Sequence, residues 1–223
     1  MSSIPNSQGG PTPDLKRRVL TAVQAQPAPA RRGVRRRWWL TLGISIATVL
    51  AIFAHFGGIR TYDRPTALVL WTCLGWSVAA SAAAALVVAR GGSMVGRSTR
   101  SLLGVIVVTP FALLAWKVAV TLPFGPEMMA AWPGRPGFRC LGLSLVMSAP
   151  LFVALVVIRW RSDPVHPAVA GAALGITAGV AAGTLVDLWC PVAYVPHVLL
   201  GHILPLAIVA TFGAWAGRRL LPP

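Results

Sequence analysis

The chain has 223 residues, of which 56% are hydrophobic and 11% are charged, whereas a soluble globular domain carries about 25% charged residues. This composition excludes an ordinary soluble domain. The formal charge of +15 is also found in nucleic-acid-binding proteins, but here the cations lie between long apolar runs. That distribution is typical of a membrane protein oriented by its cations, and it argues against direct nucleic-acid binding.

Residues 1–37 are predicted to form a cytoplasmic N-terminal segment. Its first 13 residues are rich in Pro, Gly and Ser and too polar to bury a core, so we expect them to be disordered. The following ten residues have apolar side chains at a spacing of four, which predicts a short amphipathic helix. It binds either a groove of a cytosolic partner or the anionic leaflet of a bilayer. The candidate partner-binding residues are Leu15, Arg17, Arg18, Val19 and Val23.

Six apolar runs follow, each close to the roughly 20 residues that span a bilayer core. Because lipid offers no hydrogen-bond partners to the backbone, each run is predicted to be an α-helix. The chain is therefore predicted to be an all-α, polytopic protein with a transmembrane domain at 38–217 and a tail at 218–223. The runs are 38–56, 66–89, 101–122, 140–158, 168–189 and 198–217.

The distribution of Lys and Arg between the runs predicts the orientation. Fifteen of the 20 cations lie on the side that holds both termini, four lie on the opposite side, and Lys117 lies inside the third run. Cytoplasmic segments carry the excess of Lys and Arg. Both termini are therefore expected in the cytoplasm.

Two cysteines are predicted to lie on the non-cytoplasmic side, because Cys140 opens the fourth run and Cys190 follows the fifth. Their sequence positions leave open whether they are neighbours in space. Asp187, His197 and His202 fall on the same side and are candidate additional ligands. Thiolate and imidazole are ligands of zinc and of soft transition metals, and reactive thiols also sense oxidants. The residues leave three readings open: a redox- or metal-responsive pair, a structural disulfide, or two inert thiols. They indicate no particular metal and no cofactor.

The fifth run has four glycines at a spacing of four, which predicts a smooth groove for close packing against another helix. They are Gly171, Gly175, Gly179 and Gly183.

Two ionisable residues lie within or beside apolar runs. Lys117 and Asp187 form a salt bridge, or Lys117 reaches the headgroups, or the two take part in transport chemistry. The alternative function is therefore a small transporter or permease subunit. The sequence contains no HExxH, GxSxG or P-loop motif, so we do not expect an enzyme.

The chain resembles the NrsF-like family of bacterial integral membrane anti-sigma factors. The resemblance rests on the six-helix layout, on the paired Cys140 and Cys190, on the segment PAVAGAALGITAGVAAG at 167–183, and on the Gly-Ala-x-x-Gly-Arg-Arg motif at 213–219.

The resemblance implies a receptor in the bacterial inner membrane that sequesters an extracytoplasmic-function sigma factor. An envelope stress such as a metal ion, an oxidant or light would release that factor. Cys140 and Cys190 would be the stress-sensing pair, and residues 1–37 would form part of the sigma contact. Whether the protein forms a homo-oligomer is left open.

Overall fold

The computed structural model describes residues 14, 17–18, 20–21, 31–59, 64–88, 98–130, 137–160, 165–190 and 192–221. Residues 1–37 and 38–223 form two separate packing units. The regular elements in the described ranges from residue 31 onward are all helical. The long helices are α1 (Arg31–His55), α2 (Thr66–Val87), α3 (Thr99–Thr121), α4 (Gly137–Arg159), α5 (Pro167–Trp189) and α6 (Val195–Leu220). Two short 3₁₀ helices, Leu122–Phe124 and Pro126–Met129, follow α3.

Six helices of the described part are long and apolar enough to cross a membrane, as the apolar runs predict. Their ends differ from the runs by a few residues. Helix α1 begins at Arg31, seven residues before its run, because arginine is a good helix former. Helix α6 ends at Leu220, three residues after its run, so Arg218 and Arg219 belong to its last turn.

Helix α5 lies at the centre of the bundle. In its most apolar stretch 78% of the residues are buried, against 11% for α1. Its glycines explain this position, because the backbone of α6 comes so close that a Cβ atom at Gly171 would lie 2.1 Å from Gly213 O. A Cβ atom at Gly175 would lie 2.4 Å from Val209 O. Gly179 faces the Leu206 side chain, and Gly183 faces a ring of α2.

The outer surface of the bundle carries large apolar side chains on five helices. In water such a surface would be costly, whereas it suits contact with lipid tails. Exposed examples are Ile44, Leu70, Phe111, Val153 and Phe212.

Hydrogen bonds between side chains and backbone carbonyls connect helices that are distant in sequence. Ser45 Oγ donates to Pro150 O at 3.0 Å, which joins α1 to α4. At the end of α4, the buried Arg159 guanidinium donates to Val87 O at 2.6 Å and to Val88 O at 2.8 Å. Because a helix leaves its last carbonyls without partners, Arg159 caps the C-terminus of α2.

Candidate functional site

The candidate site lies where α3 and α5 end and where α4 and α6 begin. Cys140 is in the first turn of α4, and Cys190 directly follows α5. His197 and His202 are on the first turns of α6. All four side chains are buried. Residues separated by up to 62 positions thus meet at one end of the bundle.

His197 lies between the two sulfur atoms. Its Nε2 atom is 3.4 Å from Cys140 Sγ and 3.3 Å from Cys190 Sγ. The His202 ring is 5.6 Å from the His197 ring, measured between centroids. One candidate ligand atom from each of the four residues lies within 4.8 Å of the other three. The four residues therefore form one compact cluster, which we call the Cys–His cluster.

A local change of helix type brings the two histidines together. In an α-helix with about 3.6 residues per turn, side chains five positions apart point about 140° away from each other. Residues Leu199–Ile203 instead form a π-helical turn, in which the Leu204 amide donates to Leu199 O. The wider turn reduces that angle, so His197 and His202 share one face.

Pro205 and Gly201 account for this turn and for its contact with α4. Pro205 has no amide to donate to the carbonyl of Gly201, and Ser144 Oγ on α4 donates to that carbonyl at 3.2 Å. A Cβ atom at Gly201 would lie 2.8 Å from Cys140 Cβ. Glycine at this position therefore lets α6 approach the cysteine closely.

Asp187 lies beside the Cys–His cluster and is not one of its four members. It accepts a hydrogen bond from Lys117 Nζ of α3, and both side chains are almost completely buried. Asp187 Oδ1 is also 3.9 Å from His202 Nδ1. Of the three interpretations of this pair, the structure shows the salt bridge. The two charges neutralise each other, so their burial does not require transport chemistry.

Hydrogen bonding within the cluster favours the thiolate at Cys190, which lies just beyond the last residue of α5. The hydrogen bond with Cys140 does most to lower the pKa of the Cys190 thiol below its ordinary value. Burial opposes this shift, and a hydrogen bond with His197 adds to it. A thiolate is the form that binds metal ions and reacts with oxidants.

None of the three cysteines, all of which the structure describes, forms a disulfide bond. Cys73 lies away from the cluster on α2, where its sulfur is 3.7 Å from Thr184 O. The cluster therefore contains two thiols and two imidazoles. The four side chains can coordinate a metal ion, or the two thiols can be oxidised to a disulfide.

The candidate partner-binding residues lie in the N-terminal segment. Arg17 and Arg18 are helical and exposed, whereas Leu15, Val19 and Val23 lie outside the described residues.

Sequence reasoning missed the residues that support the cluster from neighbouring helices. Ser144 holds the π-helical turn, and Trp76 of α2 packs against His202 with ring centroids 6.2 Å apart. The sequence signal for the π-helical turn is the placement of Gly201 and Pro205 around His202. A helix that lacks a backbone amide at one position is prone to a local bulge.

Comparison with known proteins covers nearly the whole chain. The chain is 27% identical over 218 residues to the probable anti-sigma-F factor NrsF of Azospira oryzae, with 94% of this chain and 98% of that protein aligned. No solved structure matches it. The family NrsF, described as negative regulator of sigma F, matches residues 22–222, so most of the predicted amphipathic helix precedes the matched region. With both cysteines and both histidines of the cluster inside that region, the protein belongs to the NrsF family of negative regulators of sigma F.

Proposed function

We propose that this protein is an anti-sigma factor embedded in the bacterial inner membrane. It holds an extracytoplasmic-function sigma factor inactive at the cytoplasmic face and releases it when an envelope stress acts on Cys140 and Cys190. The family match over residues 22–222 is the observation that carries the proposal. The six apolar helices and the buried thiol pair support the membrane location and the sensing role.

The proposed orientation places both termini in the cytoplasm and the Cys–His cluster near the opposite surface. The excess of Lys and Arg on the terminal side supports it. Alkaline phosphatase, which is active only outside the cytoplasm, should be active when fused after Gly125 or after Val195. It should be inactive when fused after Leu221. Inactive fusions at both of the first two positions would refute this orientation.

A signal at the cluster can reach the cytoplasmic end through α4. Helices α5 and α6 touch along their backbones as far as Gly217, where a Cβ atom would lie 2.2 Å from Pro167 O. Such backbone contact leaves little freedom between them, so the two helices are expected to move as one body. Helix α4 carries Cys140 at one end and Arg159 at the other. A tilt of α4 would therefore disturb the Arg159 cap on α2 and the cytoplasmic loops beside it.

Sigma-factor capture tests the proposed activity. Full-length protein, tagged and purified in detergent, should retain an extracytoplasmic-function sigma factor of its host, identified by mass spectrometry. If no sigma factor co-purifies and sigma-dependent transcription is unchanged by expression of the protein, the proposed function is wrong.

Two truncations test the N-terminal contact separately. A protein that lacks residues 1–23 keeps the arginines at 31–37 that orient α1, so its insertion should be preserved. We expect it to lose capture, whereas a matched control that lacks only residues 1–13 should keep it. Equal capture by both would assign the sigma contact to the other cytoplasmic loops.

A further inference from the structure

We propose that Cys140, Cys190, His197 and His202 bind one divalent, thiophilic cation of the Zn²⁺ class, and that Asp187 orients His202 for this role. This cation would be the ligand of the proposed sensing site. The regulatory meaning of its binding rests on the proposed function. Metal binding itself does not depend on a sigma factor and can be measured on the protein alone.

The spacing of the four side chains fits a tetrahedral ion. Zinc–sulfur bonds of about 2.3 Å and zinc–nitrogen bonds of about 2.0–2.1 Å require neighbouring ligand atoms to be about 3.3–3.8 Å apart. His197 Nε2 is 3.4 Å and 3.3 Å from the two sulfurs, and the four ligand atoms all lie within 4.8 Å of one another. A contraction of at most about 1.0–1.5 Å between the most distant ligand atoms would complete the site.

His202 supplies an observation that is independent of this spacing. The side chain is 1% exposed, and neither of its ring nitrogens has a hydrogen-bond partner among the residues that the structure describes. Buried polar atoms are rarely left without a partner, because their lost hydrogen bonds to water are then not replaced, at a cost in stability. A cation bound to one ring nitrogen would remove this cost.

Asp187 is placed to satisfy the other ring nitrogen. Histidines that bind a metal usually donate their second N–H to a carboxylate, which fixes the orientation of the ring. Asp187 Oδ1 is 3.9 Å from His202 Nδ1, and within the described part of the chain Asp187 Oδ2 has no hydrogen-bond partner. Its charge is already balanced by Lys117, so the carboxylate does not have to serve as a direct ligand.

Charge balance in this buried location selects a divalent ion. Two thiolates and two neutral imidazoles carry a charge of −2, which a divalent cation cancels completely. A net charge in a medium of low dielectric constant is costly, so a monovalent ion would be less favoured. Binding releases the remaining thiol protons to solvent. The S₂N₂ ligand set favours Zn²⁺ over the oxygen-seeking Mg²⁺ and Ca²⁺.

Metal titration of the purified protein tests the inference. Full-length protein in detergent is stripped with a chelator, kept reduced, and titrated with Zn²⁺ in competition with a chromophoric chelator. We expect one Zn²⁺ per chain. Co²⁺ in place of Zn²⁺ should give the visible absorption of a tetrahedral ion together with sulfur-to-cobalt charge transfer in the near ultraviolet.

Matched variants identify the ligands. Cys140→Ser, Cys190→Ser and His202→Gln should each weaken Zn²⁺ binding by more than the about 10–100-fold expected for Asp187→Asn, which removes a supporting carboxylate and not a ligand. Because Asp187→Asn also leaves Lys117 without its ion-pair partner, its affinity is compared only if the variant is folded. Cys73→Ser and His55→Gln change the same residue types outside the cluster and should bind as wild type does. Circular dichroism and size-exclusion chromatography report whether each variant is folded.

A ligand exchange keeps the test decisive if a serine variant fails to fold. His202→Cys retains four donors, so it should still bind one metal ion, and its Co²⁺ complex should show stronger charge transfer from the added sulfur. Binding by Cys140→Ser equal to wild type, or a Co²⁺ spectrum without sulfur charge transfer, would overturn the inference. So would a Cys140–Cys190 disulfide that forms in the isolated protein in place of metal binding. Each of these results leaves sigma-factor capture unaffected, so the two failures can be distinguished.

Discussion

The buried pair of Lys117 and Asp187 predicts a specific pattern of stabilities. Both side chains are almost completely inaccessible, with 2% and 0% of their surfaces exposed, and the ammonium donates to the carboxylate. Removing one partner leaves the other charge buried and unpaired, which costs about 3–5 kcal/mol. We therefore expect Lys117→Met alone and Asp187→Leu alone to be strongly destabilising.

The double variant Lys117→Met/Asp187→Leu removes both charges together. Replacing a buried ion pair by apolar side chains of similar size is neutral or stabilising by about 1–4 kcal/mol. The double variant should therefore be at least as stable as wild type, although each single variant is not. The coupling energy of the cycle should be several kcal/mol, since the two residues are in direct contact.

Unfolding in mixed micelles of detergent and increasing SDS, followed by circular dichroism, measures the four stabilities. A chelator is present throughout so that metal binding does not contribute. If both single variants unfold within about 0.5 kcal/mol of wild type, a value typical of surface positions, water reaches the pair and the burial described here is wrong. A double variant no more stable than the weaker single variant would contradict the pairing.

Three further predictions concern helix contacts. Gly175→Ala should cost about 1–3 kcal/mol because it overpacks the backbone of α6. Gly142 is exposed, and among the described residues no atom beyond its own stretch of helix lies within 4 Å of an added Cβ, so Gly142→Ala should gain about 0.5–1 kcal/mol of helix stability. SDS unfolding compares the two variants, and equal stabilities would refute the close approach. Arg159→Met should cost about 1–3 kcal/mol in the same assay by removing the cap of α2, and no loss would refute the cap. Gly201→Ala should push α4 away and speed alkylation of Cys140 by a maleimide, so an unchanged rate would contradict the contact.

The number and approximate position of the helices could be predicted because each depends on local composition. A run of about 20 apolar residues must be helical in lipid whatever its neighbours are. The spacing of Gly171, Gly175, Gly179 and Gly183 marks a smooth face, but the sequence does not say which helix fills it. In the structure three of these glycines face α6, and Gly183 receives Trp76 of α2.

Tertiary contacts decided what local patterns left open. The sequence gives no means of choosing between a salt bridge and a reach to the headgroups for Lys117, since that choice depends on how near α5 lies to α3. From the sequence, Arg159 is one of several cations expected to orient the chain. In the structure it is 1% exposed and caps another helix. In both cases the pairing partner lies about 70 residues away in the chain.

The composition of the Cys–His cluster was only partly predictable. Cys140 opens the fourth apolar run and Cys190 follows the fifth, so an up-and-down bundle of six helices places both at one end. His197 and His202 share a face only because the helix widens between them, and regular helical spacing would separate them. The sequence position of Asp187 made it a candidate ligand as well. In the structure it lies against Lys117 and His202 instead.

Transcription from a promoter of the bound sigma factor tests most directly whether the cluster controls release. Cells that carry the wild-type protein or Cys140→Ser/Cys190→Ser are compared before and after exposure to Zn²⁺ or to an oxidant, at equal amounts of protein in the membrane. We expect low transcription in both strains at rest and induction only with the wild type. Induction of the double variant to the wild-type level by every stress would contradict it.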